Sequence, residues 1–144
     1  MNRVFVIADL HFGHRKLQEI RGISDDTLVR RWNSVVGTDD LTYVLGDVFK
    51  LDRMDELNGR KRLAMGNHDR LPMKRYLEHF VRVRAMFEYD NCLLTHIPIH
   101  PLQLQRYRMN VHGHLHEHKL SDPRYVNVSA EQLDYTPTLL RNLT

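Results

Sequence analysis

At 144 residues the chain is long enough to bury a real core, and we expect a single domain over residues 1–144. Its 42% hydrophobic and 27% charged residues are ordinary for a soluble globular protein, and no stretch reaches the ~20 apolar residues of a membrane span. With Cys92 as the lone cysteine, an intramolecular disulfide and a thiolate zinc site are excluded. The lone cysteine and an N-terminus without the pattern of a secretory signal predict a cytoplasmic protein.

The net charge of +3 and short basic clusters at 60–62, 74–75 and 106–108 fit either solvated surfaces or attraction to an anionic substrate, nucleic acid included.

Five short apolar runs each end at a polar residue. The runs are VFVIAD ending at Asp9, LTYVLGD at Asp47, KRLAMGN at Asn67, NCLLTH at His96 and MNVHGH at His114. Runs of this kind predict buried strands. Ligands of α/β sheets bind at the carboxyl ends of the strands. Five strands that each end at a polar residue therefore predict one shared site.

Helical signals lie between the early strands. The segment 24–37 begins with a serine N-cap and two aspartates, carries an apolar stripe and ends at a glycine, which predicts a helix. A second, weaker helix is predicted over 72–79, beginning near a proline. After residue 80 the chain is strand-rich, with a hairpin turn expected at 90–91 and further strand within 125–141. The alternation of strands and helices predicts an α/β fold.

Four histidines occupy every second position of VHGHLHEH. In extended backbone, His114 and His116 point to the same side and could reach neighbouring metal ions. We expect His112 to lie within the strand in a packing or supporting role, because ligating imidazoles usually have hydrogen-bonded neighbours. His118 is expected to be exposed.

The strand ends and the residues just beyond them supply a set of oxygen and nitrogen ligands. The candidates are Asp9, His11, Asp47, Asn67, His96, His114 and His116. Each alone has a plainer explanation as a cap, loop or core residue, but the joint pattern favours a metal site. Such ligands suit Mn²⁺, Fe, Zn²⁺ or Co²⁺. Seven are too many for one tetrahedral ion and suit two, with Asp9 or Asp47 available as a bridge. Two divalent ions, two carboxylates and a bridging hydroxide leave about one positive charge, which would attract an anion such as phosphate.

The order of these motifs resembles the calcineurin-like metallophosphoesterases, most of all the small bacterial and phage phosphoesterases. The resemblance spans residues 4–129 and is carried by DLH at 9–11, GD at 46–47, GNHD at 66–69, TH at 95–96 and GHLH at 113–116. It implies two packed β-sheets flanked by helices, a four-layer α/β/β/α fold, with a dinuclear metal centre at the strand ends.

The resemblance also implies roles for individual residues. It gives Asp9, His11, Asp47 and His116 to one metal and Asp47, Asn67, His96 and His114 to the other, so that Asp47 is the bridge. It implies two transition-metal ions per chain, most simply Mn²⁺, with Fe, Zn²⁺, Co²⁺ or Ni²⁺ as alternatives. His68 would protonate the leaving oxygen, with Asp69 orienting its ring, and Asn67 would also contact substrate.

Three further residues are candidate substrate contacts. His14, Arg15 and His100 are expected in loops leaving the site, where they could bind phosphate oxygens or simply face solvent. The expected activity is a phosphodiesterase on nucleotides or related small phosphoesters, without a membrane partner. The alternatives are a phosphomonoesterase, a nuclease whose basic clusters follow a polynucleotide, and a non-catalytic interaction module.

Overall fold

The computed structural model describes residues 2–144 and contains two β-sheets. The first sheet has the order β4-β3-β2-β1-β9, from β1 (Val4–Ile7), β2 (Leu41–Val44), β3 (Arg60–Ala64), β4 (Arg82–Arg84) and β9 (Thr138–Leu139). Its first four strands are parallel, and β9 is antiparallel to β1. The second sheet has the order β5-β6-β7-β8, from β5 (Met86–Tyr89), β6 (Cys92–Thr95), β7 (Met109–His112) and β8 (Tyr125–Asn127).

The helices are short. They are α1 (Arg15–Arg21), α2 (Asp25–Val35) and α3 (Met73–Leu77), with 3₁₀ helices over Met54–Glu56, Pro101–Arg106, Ala130–Leu133 and Leu140–Asn142. None of the helices in the described residues has the length and apolarity that a membrane crossing requires.

Alternation along β1 gives the first sheet two apolar faces. Val6 and Ala8 belong to the core between the two sheets, which also contains Leu94 of β6 and Val111 of β7. Phe5 and Ile7 point the other way, to a second core shared with Leu28 and Trp32 of α2 and Tyr76 of α3. A first sheet buried on both faces fixes where its strand ends lie, because each face is held by apolar packing.

The outer face of the second sheet is covered by the segment 97–106. The Ile99 N–H donates to Asn110 Oδ1 at 3.0 Å, the Tyr125 hydroxyl donates to the Ile99 carbonyl, and Leu104 is buried beneath the 3₁₀ helix. The structure therefore confirms the α/β class with two packed sheets flanked by helices, and the helical layer over the second sheet is a 3₁₀ turn.

Most predicted elements are confirmed, with shifts at their ends. The five strands that carry the candidate ligands all form, and the hairpin turns at 90–91 as expected. In α2, Ser24 Oγ accepts the N–H of Thr27, and the helix ends at Val35, two residues before the predicted stop at Gly37. α3 is only five residues long, with Pro72 as its N-cap. Between β4 and β5 the chain crosses from the first sheet to the second.

One helix was not predicted. Residues 12–23, expected as a loop, contain α1. Its N-cap is His14, whose Nδ1 accepts the Leu17 N–H, and its first turn has no acidic residue, so the usual start signals are absent. Gly22 ends the helix in the left-handed conformation.

Candidate metal centre

The strand ends of the two sheets meet at one edge of the molecule. Two of the hydrogen bonds that join them involve candidate histidine ligands. His96 Nδ1, after β6, lies 2.7 Å from the Leu45 carbonyl after β2, and the His114 N–H, after β7, donates to Asp9 Oδ2 after β1 at 2.8 Å. Each bond ties a candidate ligand of the second sheet to the first sheet. The residues predicted from the strand ends therefore lie together at this edge.

A first group of candidate ligands consists of Asp9, His11 and His116. Their donor atoms lie within 4.8 Å of one another. Asp9 Oδ1 is 3.7 Å from His11 Nε2 and 3.8 Å from His116 Nε2. One carboxylate oxygen thus faces two imidazole nitrogens across a gap the size of a metal ion.

A second group consists of Asp47, His96 and His114, again with donor atoms within 4.8 Å of one another. His96 Nε2 lies 3.3 Å from Asp47 Oδ2 and 3.3 Å from His114 Nδ1. Asn67 Oδ1 lies 3.0 Å from the same His96 nitrogen, which adds an amide oxygen to the group.

Asp47 connects the two groups. Its Oδ2 is 3.6 Å from His11 Nε2 in the first group and 3.3 Å from His96 Nε2 in the second. Asp9 is the other carboxylate that could bridge, but the imidazole nitrogens that face its Oδ1, those of His11 and His116, both belong to the first group. The geometry therefore favours Asp47 as the shared carboxylate.

The donor atoms fit a metal cation. Within residues 2–144, Asp9 Oδ1 and both ring nitrogens of His11 are buried without a hydrogen-bond partner. Buried polar atoms are nearly always satisfied in folded proteins, so unpartnered ones need an explanation. A divalent ion in the first group would give both Asp9 Oδ1 and one His11 nitrogen a partner.

The electrostatics of the site keep its carboxylates ionised, as metal ligands must be. Burial raises the pKa of Asp9, but the interaction with His11 and the charge of His96 outweigh it, so the net shift is downward. Burial also raises the pKa of Asp47, but the hydrogen bond with His96 lowers it, and the net result is a pKa of about 2. In return, the Asp47 and Asp9 carboxylates raise the pKa of His96 against the effect of its burial.

The ligands sit on unusual backbone. Five of the seven candidates have positive φ, and they are Asp9 (58°), His11 (49°), Asp47 (56°), His114 (73°) and His116 (50°). Non-glycine residues rarely adopt this left-handed conformation, and it clusters at functional sites where the surrounding structure holds it in place. Sharp turns directly after the strands aim these side chains into the site.

Two glycines make room for the carboxylates. A Cβ on Gly66 would collide with the Asp47 side chain, and a Cβ on Gly113 would lie 2.5 Å from Asp9 Oδ2. Gly66 directly precedes Asn67, and Gly113 precedes His114. The GN and GH pairs of the sequence are therefore explained by close approach between neighbouring strand ends.

Asp69 has a different contact from the one expected. Its carboxylate does not reach the His68 ring. Oδ2 accepts the N–H groups of Asp47 and Gly66, both at 2.8 Å, and Oδ1 accepts that of Val48 at 3.0 Å. Asp69 is buried and joins the turns after β2 and β3. The expected contact between Asp69 and the His68 ring is not made in the described residues, because the carboxylate is turned towards these backbone donors.

His68 itself lies where the sequence placed it, beside the ligands but outside both groups. Its backbone N–H donates to Asp47 Oδ1 at 2.9 Å, and its ring centroid is 5.5 Å from that of His11. The side chain is exposed, and its ring nitrogens make no hydrogen bond within the described chain.

The three candidate substrate contacts separate in the structure. The His14 ring lies 5.7 Å from that of His11, so it borders the site. Arg15 follows it as an exposed side chain without a hydrogen bond or ion pair to residues 2–144. His100 caps the 3₁₀ helix over the second sheet through the Leu102 N–H and lines a cleft with Tyr125, and its hydrogen bonds in the described residues do not reach the candidate ligands.

The two other histidines of VHGHLHEH lie outside the ligand groups. His112 ends β7 fully buried, with Nδ1 2.8 Å from the Gly113 carbonyl and its ring beside Tyr125, and burial lowers its pKa. This fits the packing role expected for it. His118 is exposed, as predicted.

Sequence reasoning missed three residues that support the ligands. Ser129 donates to Asp9 Oδ2 at 2.7 Å, and Glu131 accepts from His116 Nδ1 at 2.7 Å and from Arg21 at 2.8 Å. The Glu131 carboxylate raises the pKa of His116. Ser129 and Glu131 lie just beyond the end of β8 at Asn127, so a search for polar residues after this strand as well would have found them. Arg21 had no signal, because α1 was not predicted.

The chain is similar to proteins from phage, archaea and bacteria. No protein-family profile matches it. The Gene 66 protein of Mycobacterium phage L5 is 40% identical over 84 residues, which cover 48% of this chain and 41% of that protein. An uncharacterized protein of Methanocaldococcus jannaschii is 28% identical over 97% of this chain and 88% of its own length. The crystal structure of a protein of unknown function from Aquifex aeolicus, at 22% identity, superimposes with a TM-score of 0.79 over 99% of this chain and 98% of that one. The likeness to the Aquifex structure supports the fold, and the function has to be argued from the site.

We expect Asp47→Ala to disturb metal binding in both groups, because Asp47 Oδ2 faces both of them. The wild-type protein should hold two transition-metal ions per chain, measured by elemental analysis after equilibration with Mn²⁺. The matched control is Asp52→Ala, which removes an exposed carboxylate and should leave metal content unchanged. Full occupancy in Asp47→Ala, or one ion in the wild type, would contradict a shared carboxylate.

Proposed function

We propose that the protein is a metal-dependent phosphoester hydrolase with two divalent transition-metal ions, most simply Mn²⁺. The observation that carries the proposal is the position of Asp47 Oδ2, 3.6 Å and 3.3 Å from imidazole nitrogens of two separate ligand groups. A pair of such ions, when bound, supplies an activated hydroxide and the positive charge that holds a phosphoryl group. The motif order supports the same assignment through its resemblance to calcineurin-like metallophosphoesterases.

His14 is suited to hold a phosphate oxygen. Its Nδ1 accepts the Leu17 N–H at 3.2 Å, so the proton of the neutral ring lies on Nε2. This nitrogen is therefore a hydrogen-bond donor beside the first ligand group. Arg15, the next residue, is exposed and adds a guanidinium at the same rim.

His68 is suited to deliver a proton to the leaving oxygen. Its backbone is held by Asp47, while its ring is exposed and makes no hydrogen bond within residues 2–144. Both ring nitrogens are therefore available to substrate and solvent. A histidine in this position can act as a general acid without being needed as a ligand.

The substrate we propose is a nucleotide phosphodiester or a related small phosphoester. Asn67 and His68 are exposed beside the ligands, so the site is open on that side. A phosphomonoester would bind the same groups, and the two differ only in the group beyond the phosphate.

A nuclease is less well supported, because several side chains of the basic clusters have internal partners. Lys61 is buried and donates to the carbonyls of Leu57 and Gly59, and Arg108 pairs with Asp90. A non-catalytic module is not favoured either, since every residue of the proposed site is present.

The lone cysteine, Cys92, is buried and free, which suits the cytoplasmic location that we propose for the protein.

The activity is tested with metal-loaded protein against a phosphodiester, a phosphomonoester, a cyclic nucleotide and a single-stranded oligonucleotide. We expect turnover of the small phosphodiester, loss of activity with a chelator and recovery with Mn²⁺. Asp47→Ala serves as the inactive control. Absence of turnover on all four substrates, with two ions bound, would overturn the proposed function.

We expect His68→Ala to keep the fold and both ions but to lose about 10²–10⁴ in turnover, the usual range for general acid catalysis. The loss should be largest for a nucleoside alkoxide and should shrink for nitrophenolate, whose low pKa makes protonation nearly unnecessary. His118→Ala, at another exposed histidine, is the control. An equal loss on both leaving groups would assign His68 to charge stabilisation instead, and a loss of metal would make it a ligand.

We expect His14→Asn to weaken substrate binding while metal content stays normal. Asparagine is a good N-cap and keeps α1 in place, but it lacks the Nε2–H donor. A hydrogen bond to a charged group contributes about 1.5–3 kcal/mol, so kcat/KM should fall at least tenfold, roughly, mainly through KM. Unchanged kinetics would show that His14 only caps α1 and does not bind substrate.

A further inference from the structure

We propose that Glu131 is a positioning residue that holds the His116 ring with Nε2 facing the first ligand group. Its carboxylate therefore supports one of the two metal ions and not the other. The inference rests on the proposed metal centre, but not on the identity of the substrate or on turnover.

The two nitrogens of the His116 ring have separate tasks. Nδ1 lies 2.7 Å from Glu131 Oε2, while Nε2 lies 3.8 Å from Asp9 Oδ1, across the gap of the first group. An Arg21 nitrogen also approaches Nδ1, at 3.4 Å. Because a guanidinium only donates, Nδ1 cannot serve both partners, and the shorter contact puts the proton on Nδ1, towards the carboxylate. Nε2 is then left with its lone pair free for a metal.

Glu131 is itself held rigidly. Arg21 donates to both of its oxygens, at 2.8 Å and 3.1 Å, in a bidentate pair whose side chains are 4% and 15% exposed. The same guanidinium donates to the Asp9 carbonyl at 2.7 Å and approaches the Leu10 carbonyl at 3.3 Å. Glu131 is therefore fixed against the turn that carries the other ligands of the first group.

The backbone around Glu131 is anchored as well. Glu131 lies in the 3₁₀ helix Ala130–Leu133, and the Ala130 N–H donates to the Ala8 carbonyl at the end of β1 at 2.9 Å. The Gln132 side chain donates to the His116 carbonyl at 3.0 Å. The distance between Glu131 and His116 is thus set from both sides.

The second ligand group has no such carboxylate in the described chain. Its His96 ring is oriented by the Leu45 backbone carbonyl at 2.7 Å, which is a neutral acceptor. Supporting partners of ligating histidines fix the ring orientation and raise the basicity of the ligand, and their loss costs about 10–100-fold in metal affinity. Removal of the Glu131 carboxylate should therefore weaken only the ion bound by Asp9, His11 and His116.

The test is a Mn²⁺ titration of Glu131→Gln, followed by electron paramagnetic resonance and isothermal calorimetry. We expect about a 10–100-fold weaker affinity for one of two ions. At a Mn²⁺ concentration that gives a spin-coupled pair in the wild type, the variant should then show the spectrum of an isolated ion. The control is Glu117→Gln, which removes a 68% exposed carboxylate adjacent to His116 in sequence, and it should titrate like the wild type.

Wild-type affinity for both ions in Glu131→Gln, or equal weakening of both in a variant whose metal-free fold is unchanged, would overturn the proposal. If the glutamine variant does not fold, Glu131→Asp keeps the charge opposite Arg21 but has a shorter side chain, and the same selective weakening is expected.

The proposal can also be tested on the wild-type protein. Its ¹H–¹⁵N spectra should show a proton on His116 Nδ1 with and without Zn²⁺. An unprotonated Nδ1 would sink the proposal. Two bound ions without phosphoester turnover would contradict the proposed function and leave this inference standing.

Discussion

The packing of the two sheets on each other is the constraint on which the rest of the site depends. Neither sheet holds a complete ligand group. The first group takes Asp9 and His11 from the end of β1 and His116 from beyond β7, and the second takes Asp47 from β2 and His96 from β6. The apolar core between the sheets sets their separation. The contacts His96–Leu45 and His114–Asp9 then fix their relative register at the edge where the strands end.

Holding the site in this form works against local backbone preferences. Left-handed backbone at a non-glycine residue costs on the order of 1–3 kcal/mol, and five candidate ligands adopt it. The structure supports these turns with hydrogen bonds to their backbone groups. Asp69 accepts three N–H groups in the turns after β2 and β3, and Arg21 donates to the carbonyl of Asp9. These two side chains stabilise the shape of the ligand-bearing loops while remaining outside both ligand groups.

The sequence predicted the ligand-bearing strands well because the signals are local. An apolar run that ends in a polar residue, in three of the five cases after a glycine, is visible within seven residues. The parallel arrangement of the strands brings such ends together whatever the loops do. The histidines at 114 and 116 were also predicted to face neighbouring sites, and the structure places them in different ligand groups.

What the sequence could not reveal are the contacts between residues far apart in the chain. Asp69 follows His68 directly, which suggested an interaction between the two side chains, but a turn directs the carboxylate into the backbone beneath. Arg21 and Glu131 are separated by 110 positions, and their pairing depends on a helix whose N-cap is a histidine. Local patterns therefore predicted which atoms could bind metal, and only the packed structure showed what holds them.

The division of each ligand group between the sheets gives metal binding a structural consequence. An ion in the first group would be held by Asp9 and His11 from one sheet and by His116 from the other, and an ion in the second group by Asp47 and His96 in the same way. Each ion would thus be a cross-link over the sheet interface. Since ligands that bind only the folded state stabilise it by mass action, binding of metal at these groups would be coupled to the cohesion of the two sheets. The coupling acts at the polar edge, where the apolar core ends and two buried carboxylates lie next to each other. With metal bound, the proposed metal centre and one source of the stability of the fold would therefore lie in the same few side chains.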